Sequence, residues 1–202
     1  MKFGELYKIL ERNRYYIFTY EDIALFFPDE NKDNLKITMQ RWRKKGWVCS
    51  LKRGLHELTF PEDLVIPDMY VAGKLYTPSY VSLETALSNY SIIPEVSMSV
   101  TSITTKPTRR FKNKHGLFTY RTVKPDAFTG YYVEKIQGFD IFMAEPEKAI
   151  IDYIYFKAYR NKKFSLKEER LEKDVIAGLD MKKMDKYAKL YNIDLKGFYA
   201  CL

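Results

Sequence analysis

Gly46 separates two regimes of apolar spacing, and no other feature constrains the fold as strongly. Before it, Leu35, Met39 and Trp42 recur at helical spacing on one face, with Asp33 or Asn34 as the N-cap and Gly46 as the stop. After it, "WVCSL" and "LHELTF" read as two short strands joined by "KRG", with Gly54 in the turn. Upstream, Phe3, Leu6, Tyr7 and Leu10 fall at i, i+3, i+4, i+7 and predict a first helix. "FTYEDIALFFP" predicts a second, capped by Thr19, with Asp22 in its first turn and Pro28 ending it. Three helices and a hairpin in residues 1–60 are the layout of a winged helix-turn-helix, whose third helix enters the DNA major groove and whose hairpin is the wing.

The charges agree with that layout. The net charge is +8, which favours polyanionic partners. On the third helix Lys36, Gln40, Arg41, Arg43 and Lys44 lie off the apolar face, with no acidic residue on the helix after Asp33; Lys52 and Arg53 add two cations at the hairpin turn. Lys and Arg neutralise phosphates and release counterions, whereas Gln can read adenine and Arg guanine. A solvated charged face is the competing reading. A second basic cluster holds Arg109, Arg110, Lys112 and Lys114 in "KPTRRFKNKHG", read as a loop: either a solvated hairpin or a further polyanion contact.

Residues 61–67, with Pro61 and Pro67, read as a connection to a second domain over residues 68–202. In it "MYVAGKLY" predicts a helix, and "YVSLETALSNYSIIPE" a second with Leu83, Ala86, Leu87 and Tyr90 on one face. "VSMSVTSITT" and "LFTYRTV" predict strands, and "YYVEKIQGFDIFMA" a hairpin turning near Gly138. "EPEKAIIDYIYFKAY" predicts a buried helix, and "SLKEERLEKDVIAG" and "DMKKMDKYAKLYNI" charged helical segments. The expected class is α+β: the N-terminal winged helix-turn-helix, then an α+β domain with a small antiparallel sheet flanked by helices.

Composition and motifs argue against several other classes. No stretch approaches the roughly 20 apolar residues of a membrane span, and the N-terminus has no signal-peptide core. Cys49 and Cys201 are too few and too far apart for a disulfide framework, so a reduced, cytoplasmic protein is expected. No phosphate-binding Gly-rich loop, H-E-x-x-H or G-x-S-x-G is present. No catalytic residue, metal site or cofactor is expected, nor enzyme activity. His56 and His115 read as surface residues and Cys49 as a packed side chain. Asp152 stands in an apolar run, where a carboxylate must be hydrogen-bonded or paired.

The stretches "FTYEDI", "RWRKKGWVCSLKRGLHEL", "YTPSYVSLETALSNYSIIPE", "RRFKNKHGLFTYRTVKPDAF" and "EPEKAIIDYIY" resemble, in order, the AbiEi-type antitoxins of bacterial type IV toxin–antitoxin systems, over about residues 15–160. The resemblance implies an abortive-infection antitoxin that also represses its own operon by binding double-stranded promoter DNA. The implied functional partner is an AbiEii-like nucleotidyltransferase toxin, opposed without a stable complex. His56 and Glu57 stand where the family pattern has an aromatic and a basic residue. The alternative is a stand-alone winged-helix regulator whose second domain binds a ligand or dimerises. A dimer on DNA would place operator half-sites about one helical turn, or a multiple, apart.

Overall fold

The computed structural model describes residues 1–160 and 169–200. It is of mixed α+β class, and the chain divides into two compact units, Met1–Ile66 and Pro67–Leu202.

In the first unit the order is α1 (Phe3–Arg12), β1 (Ile17–Thr19), α2 (Tyr20–Phe26), α3 (Lys32–Lys44), β2 (Val48–Lys52) and β3 (Leu55–Leu58). Thr19 caps α2 as its residue type predicts: its Oγ1 accepts from the Asp22 N–H at 3.1 Å, and its own N–H donates to Asp22 Oδ2 at 2.7 Å. The cap of α3 is Asn31 rather than Asp33 or Asn34. Its Oδ1 accepts from the Asp33 N–H at 2.8 Å, so Asp33 falls in the first turn. The helix ends in a Schellman motif: the Trp47 N–H reaches Trp42 O, the Gly46 N–H reaches Arg43 O, and Gly46 sits at φ +71°. Leu35, Met39 and Trp42 are all buried, against a core that includes Leu6, Leu10 and Ile23. Phe3 packs against both tryptophans, its ring 5.1 Å from Trp42 and 4.6 Å from Trp47.

The predicted hairpin forms, turning at Gly54 with φ +79°, but it belongs to a three-stranded antiparallel sheet of order β1-β3-β2. The added strand β1 has three residues, too few to show a period, and is fixed by pairing Ile17 with Glu57 and Phe18 with His56. His56 is thereby in the central strand and only 3% exposed, a correction to its reading as a surface residue.

In the second unit α4 (Asp68–Leu75), β4 (Ser79–Val81), α5 (Leu83–Asn89), β5 (Ser99–Thr104), β6 (Arg109–Asn113), β7 (Gly116–Thr122), β8 (Tyr131–Ile136), β9 (Phe139–Ala144) and α6 (Pro146–Arg160) are followed by α7 (Lys173–Ala177), α8 (Met181–Leu190) and α9 (Lys196–Tyr199). The sheet has six strands in the order β6-β7-β5-β4-β9-β8. It is mixed, not the small antiparallel sheet expected: β5 runs parallel to β7, and β4 parallel to β9. Parallel pairing follows because each pair is joined by a crossover, through β6 in one case and through most of the unit in the other.

Two further corrections concern this unit. The predicted helix over "YVSLETALSNYSIIPE" is confined to Leu83–Asn89, because Tyr80 and Val81 belong to β4, held between β5 and β9. The predicted basic loop contains β6, whose Arg109–Asn113 pair antiparallel with β7. The early part of "SLKEERLEKDVIAG" lies outside the described residues, and its helical portion is α7.

Alternation along the strands divides the sheet into two faces. On one, Tyr120 donates its hydroxyl to Ala72 O of α4 at 2.7 Å, and Tyr70 of α4 packs on Phe139 at 4.7 Å. On the other, Thr101 Oγ1 donates to Ser82 O and accepts from the Thr85 N–H, placing α5 there, and Tyr80 meets α6.

On that second face Lys148 and Asp152, one turn apart on α6, are both fully buried and ion-paired. Asp152 Oδ1 also accepts from Tyr191 Oη at 2.6 Å, while Oδ2 accepts from Ser82 Oγ at 2.8 Å and Tyr80 Oη at 3.1 Å. Lys148 Nζ donates to both tyrosine oxygens at 3.0 Å. Thus the carboxylate expected to need partners has four, and the ammonium spends its three protons within the same cluster. Burial pushes the Lys148 ammonium below its ordinary value against the opposing pull of Asp152, and pushes the Tyr80 and Tyr191 phenols up.

Candidate nucleic-acid interface

Burying Leu35, Met39 and Trp42 fixes the rotation of α3, and the opposite side must then meet solvent. Lys36, Gln40, Arg41, Arg43 and Lys44, a quarter to a half turn from that stripe, are all exposed. Lys36 is not a bare cation: its Nζ donates to Asp33 Oδ1 at 2.9 Å, one turn earlier and well exposed. A pair of this kind contributes little in water and exchanges readily for a phosphate. Two further residues belong to this surface region, Ile37 and Lys45. Ile37 is 49% exposed in the middle of the basic face, an apolar group suited to a thymine methyl. Lys45 lies 4.4 Å from the Trp47 ring centroid, which holds its ammonium beside the helix end. The helical period alone would have placed Ile37 on this face. Arg53 is exposed in the β2–β3 turn, and Lys52 at the end of β2 is half-buried.

The second basic cluster is divided by its strand. Arg109 and Phe111 point to the α4 face, where the Arg109 guanidinium lies 5.9 Å from the Tyr76 ring centroid and Phe111 packs against Tyr76 and Tyr120. Arg110 and Lys112 take the opposite face, and Lys114 stands in the β6–β7 turn; all three are exposed. The four cations therefore do not form one patch. His115 is not a loose surface residue: its Nδ1 lies 3.1 Å from Asp68 Oδ1.

In the central strand β3, His56 packs between Phe18 and Tyr20, and neither ring nitrogen has a hydrogen-bond partner among the described residues. Burial, assisted by the positive charge of Arg43, lowers its pKa from 6.5 to about 4. The unfolded chain takes up this proton near pH 6.5 and the folded chain only near pH 4. Stability is therefore full above pH 6.5 and falls as the pH drops toward 4, by about 3 kcal/mol. Acid titration followed by tryptophan fluorescence reads this directly, since Trp42 and Trp47, the chain's two tryptophans, are both in this unit. In His56→Phe that component is absent; an unchanged acid limb would show that His56 does not carry it.

Cys49 donates its thiol to Glu57 Oε2 at 3.8 Å, the contact of a packed side chain. Cys201 lies outside the described residues. Among the described residues no helix is long and apolar enough to cross a membrane. No protein-family model matches the chain, and comparison with curated proteins gives no match.

Proposed function

We propose that Met1–Ile66 is a winged helix-turn-helix that binds double-stranded DNA, with α3 in the major groove and the β2–β3 turn as the wing. The chain is then an antitoxin of a type IV toxin–antitoxin system that represses its own operon. It counteracts an AbiEii-like nucleotidyltransferase toxin without a stable complex, and has no catalytic role of its own. The observation that carries the DNA-binding reading is the exposed face of α3, where Gln40, Arg41 and Lys44 surround Ile37 while the other side of the helix is locked into the core. Cations there supply affinity through the phosphates, and Gln40 and Ile37 supply contacts to base edges. The antitoxin assignment rests on the sequence resemblance.

The test is growth of cells expressing the neighbouring reading frame of the operon, alone and together with this protein. Arrest relieved by co-expression is the expected result. A harmless neighbour, or toxicity left untouched, would favour the second reading, a stand-alone winged-helix regulator whose second unit binds a ligand. One observation supports that alternative, an open groove in the second unit lined by arginines.

A further inference from the structure

The two edges of the six-stranded sheet are built differently. At one edge β6 carries Arg109, Arg110 and Lys112, all exposed, and charges of one sign along an edge keep stray strands away. At the other edge β8 reads Tyr-Tyr-Val-Glu-Lys-Ile, rich in strand-forming residues, and among the described residues no strand pairs with its outer side. Tyr131, Tyr132 and Val133 are exposed on it, Val133 by 53%, and Phe142, the cross-strand partner of Val133 in β9, by 47%. Outward backbone N–H and C=O groups beside an apolar row are the means by which a sheet takes on another strand. The edge is also held in place. Tyr131 stacks on the buried Tyr80 at 4.7 Å and meets the Phe142 ring edge-on at 6.0 Å, and the hydroxyls of Tyr132 and Tyr90 are hydrogen-bonded at 3.1 Å. A strand fixed in this way meets a partner without first having to be ordered.

The sequence of β8 is complementary to itself. Two copies related by a two-fold axis through the sheet pair β8 antiparallel, with one residue opposite its own copy. Centred on Val133, the pairing sets Tyr132 opposite Glu134 and Tyr131 opposite Lys135, so residues 131–135 are all matched. Phe142 and Val133 then run on into Val133 and Phe142 of the second copy, one apolar row across the junction. Lys135 comes beside the fixed Tyr131 ring of the second copy, and its present partner, the exposed Asp140 at 3.7 Å, holds it only weakly. Centring on Glu134 or on Lys135 instead sets like charges opposite each other, which is destabilising. Centring on Tyr132 carries Lys135 past the end of the strand, opposite Thr129.

We propose that β8 is a homodimerisation edge, which pairs antiparallel with β8 of a second copy about Val133 and joins the two six-stranded sheets into one. The contact needs no DNA and stands apart from the functional reading of either unit.

Sedimentation velocity of the full chain without DNA, from about 1 to 500 µM, tests it. The mass doubles with a Kd below about 100 µM. Val133→Lys, at a half-exposed position, sets two ammonium groups opposite each other and weakens the dimer at least about tenfold, with its circular dichroism unchanged. Lys36→Ala/Arg43→Ala/Lys44→Ala dimerises as the parent does. Oxidation reads the register. In a Cys49→Ser/Cys201→Ser background, Val133→Cys brings its thiol opposite its own copy, at a Cα separation of about 4.5–5.5 Å that a disulfide can span, and forms a covalent dimer. Lys112→Cys, on the other edge, does not. A chain that is still monomeric at about 500 µM overturns the proposal and leaves this edge to a strand of a different protein. A dimer that Val133→Lys leaves unchanged overturns it too, as does one that Lys112→Cys cross-links as fast as Val133→Cys.

Discussion

With α3 in the major groove as proposed, replacing Lys36, Arg43 and Lys44 together with alanine weakens binding to the operon's promoter by about 100- to 1,000-fold at about 0.1 M salt. Each phosphate contact releases counterions and contributes roughly eightfold at that salt concentration, so three lost contacts multiply to roughly 500-fold. The slope of log K against log salt falls by about 2.7 in the same variant. All three side chains are exposed, and the apolar residues that seat α3 are untouched, so the fold survives the change. Gln40→Ala behaves differently. It leaves the salt slope alone and relaxes preference at one base pair by about 1–3 kcal/mol. Filter binding across a salt series separates the two behaviours. Full affinity in the triple variant would remove α3 from the DNA interface.

Asp152→Ala destabilises the second unit by about 3–5 kcal/mol, because it strands the Lys148 ammonium in a fully buried site. It also deprives Tyr80, Ser82 and Tyr191 of their shared acceptor. Against a typical domain stability of about 5–15 kcal/mol, that is enough to unfold a sizeable fraction of molecules on modest heating. Removing the ammonium as well, in Lys148→Met/Asp152→Ala, recovers about 2 kcal/mol of the loss, since no buried charge is then left unpaired. Urea denaturation followed by circular dichroism measures both. A cost below about 1 kcal/mol for the single substitution would show that the pair is not sealed from water.

How much of this was legible beforehand depended on the range of the interactions. The Thr19 cap, the Gly46 stop and the buried face of α3 are decided within one or two turns, and their residues announce them, whereas the α3 cap falls at Asn31, two to three residues before the positions expected. β1 could not be read, because Ile17–Thr19 becomes a strand only through a partner near residue 57. Asp152 advertised a need for partners without naming them, although Lys148 stands at helical spacing on the same helix. Tyr80, Ser82 and Tyr191 were not, being brought in from 72, 70 and 39 residues away. The basic segment showed its charge but not its strand, and strand alternation is what sends Arg110 into the groove and Arg109 away from it. His56 looked like a surface histidine because nothing local says that its strand is central.

The place of β4 also governs the order in which the chain can assemble as it is made. Val81 pairs with Ser102 on one side and with Met143 on the other. The first unit and the β4-β5-β7-β6 part of the sheet use residues synthesised early. The second edge of β4 must wait for β9, and the partners of Tyr80 on α6 emerge only after that. At about 5–20 residues per second, the interval between Val81 and Met143 is roughly 3–12 s. During it a nascent sheet carries an open edge of the kind that recruits stray strands. Chains interrupted between Val81 and Met143 therefore carry that open edge, and with it a risk of aggregation and proteolysis, although their first unit is already complete.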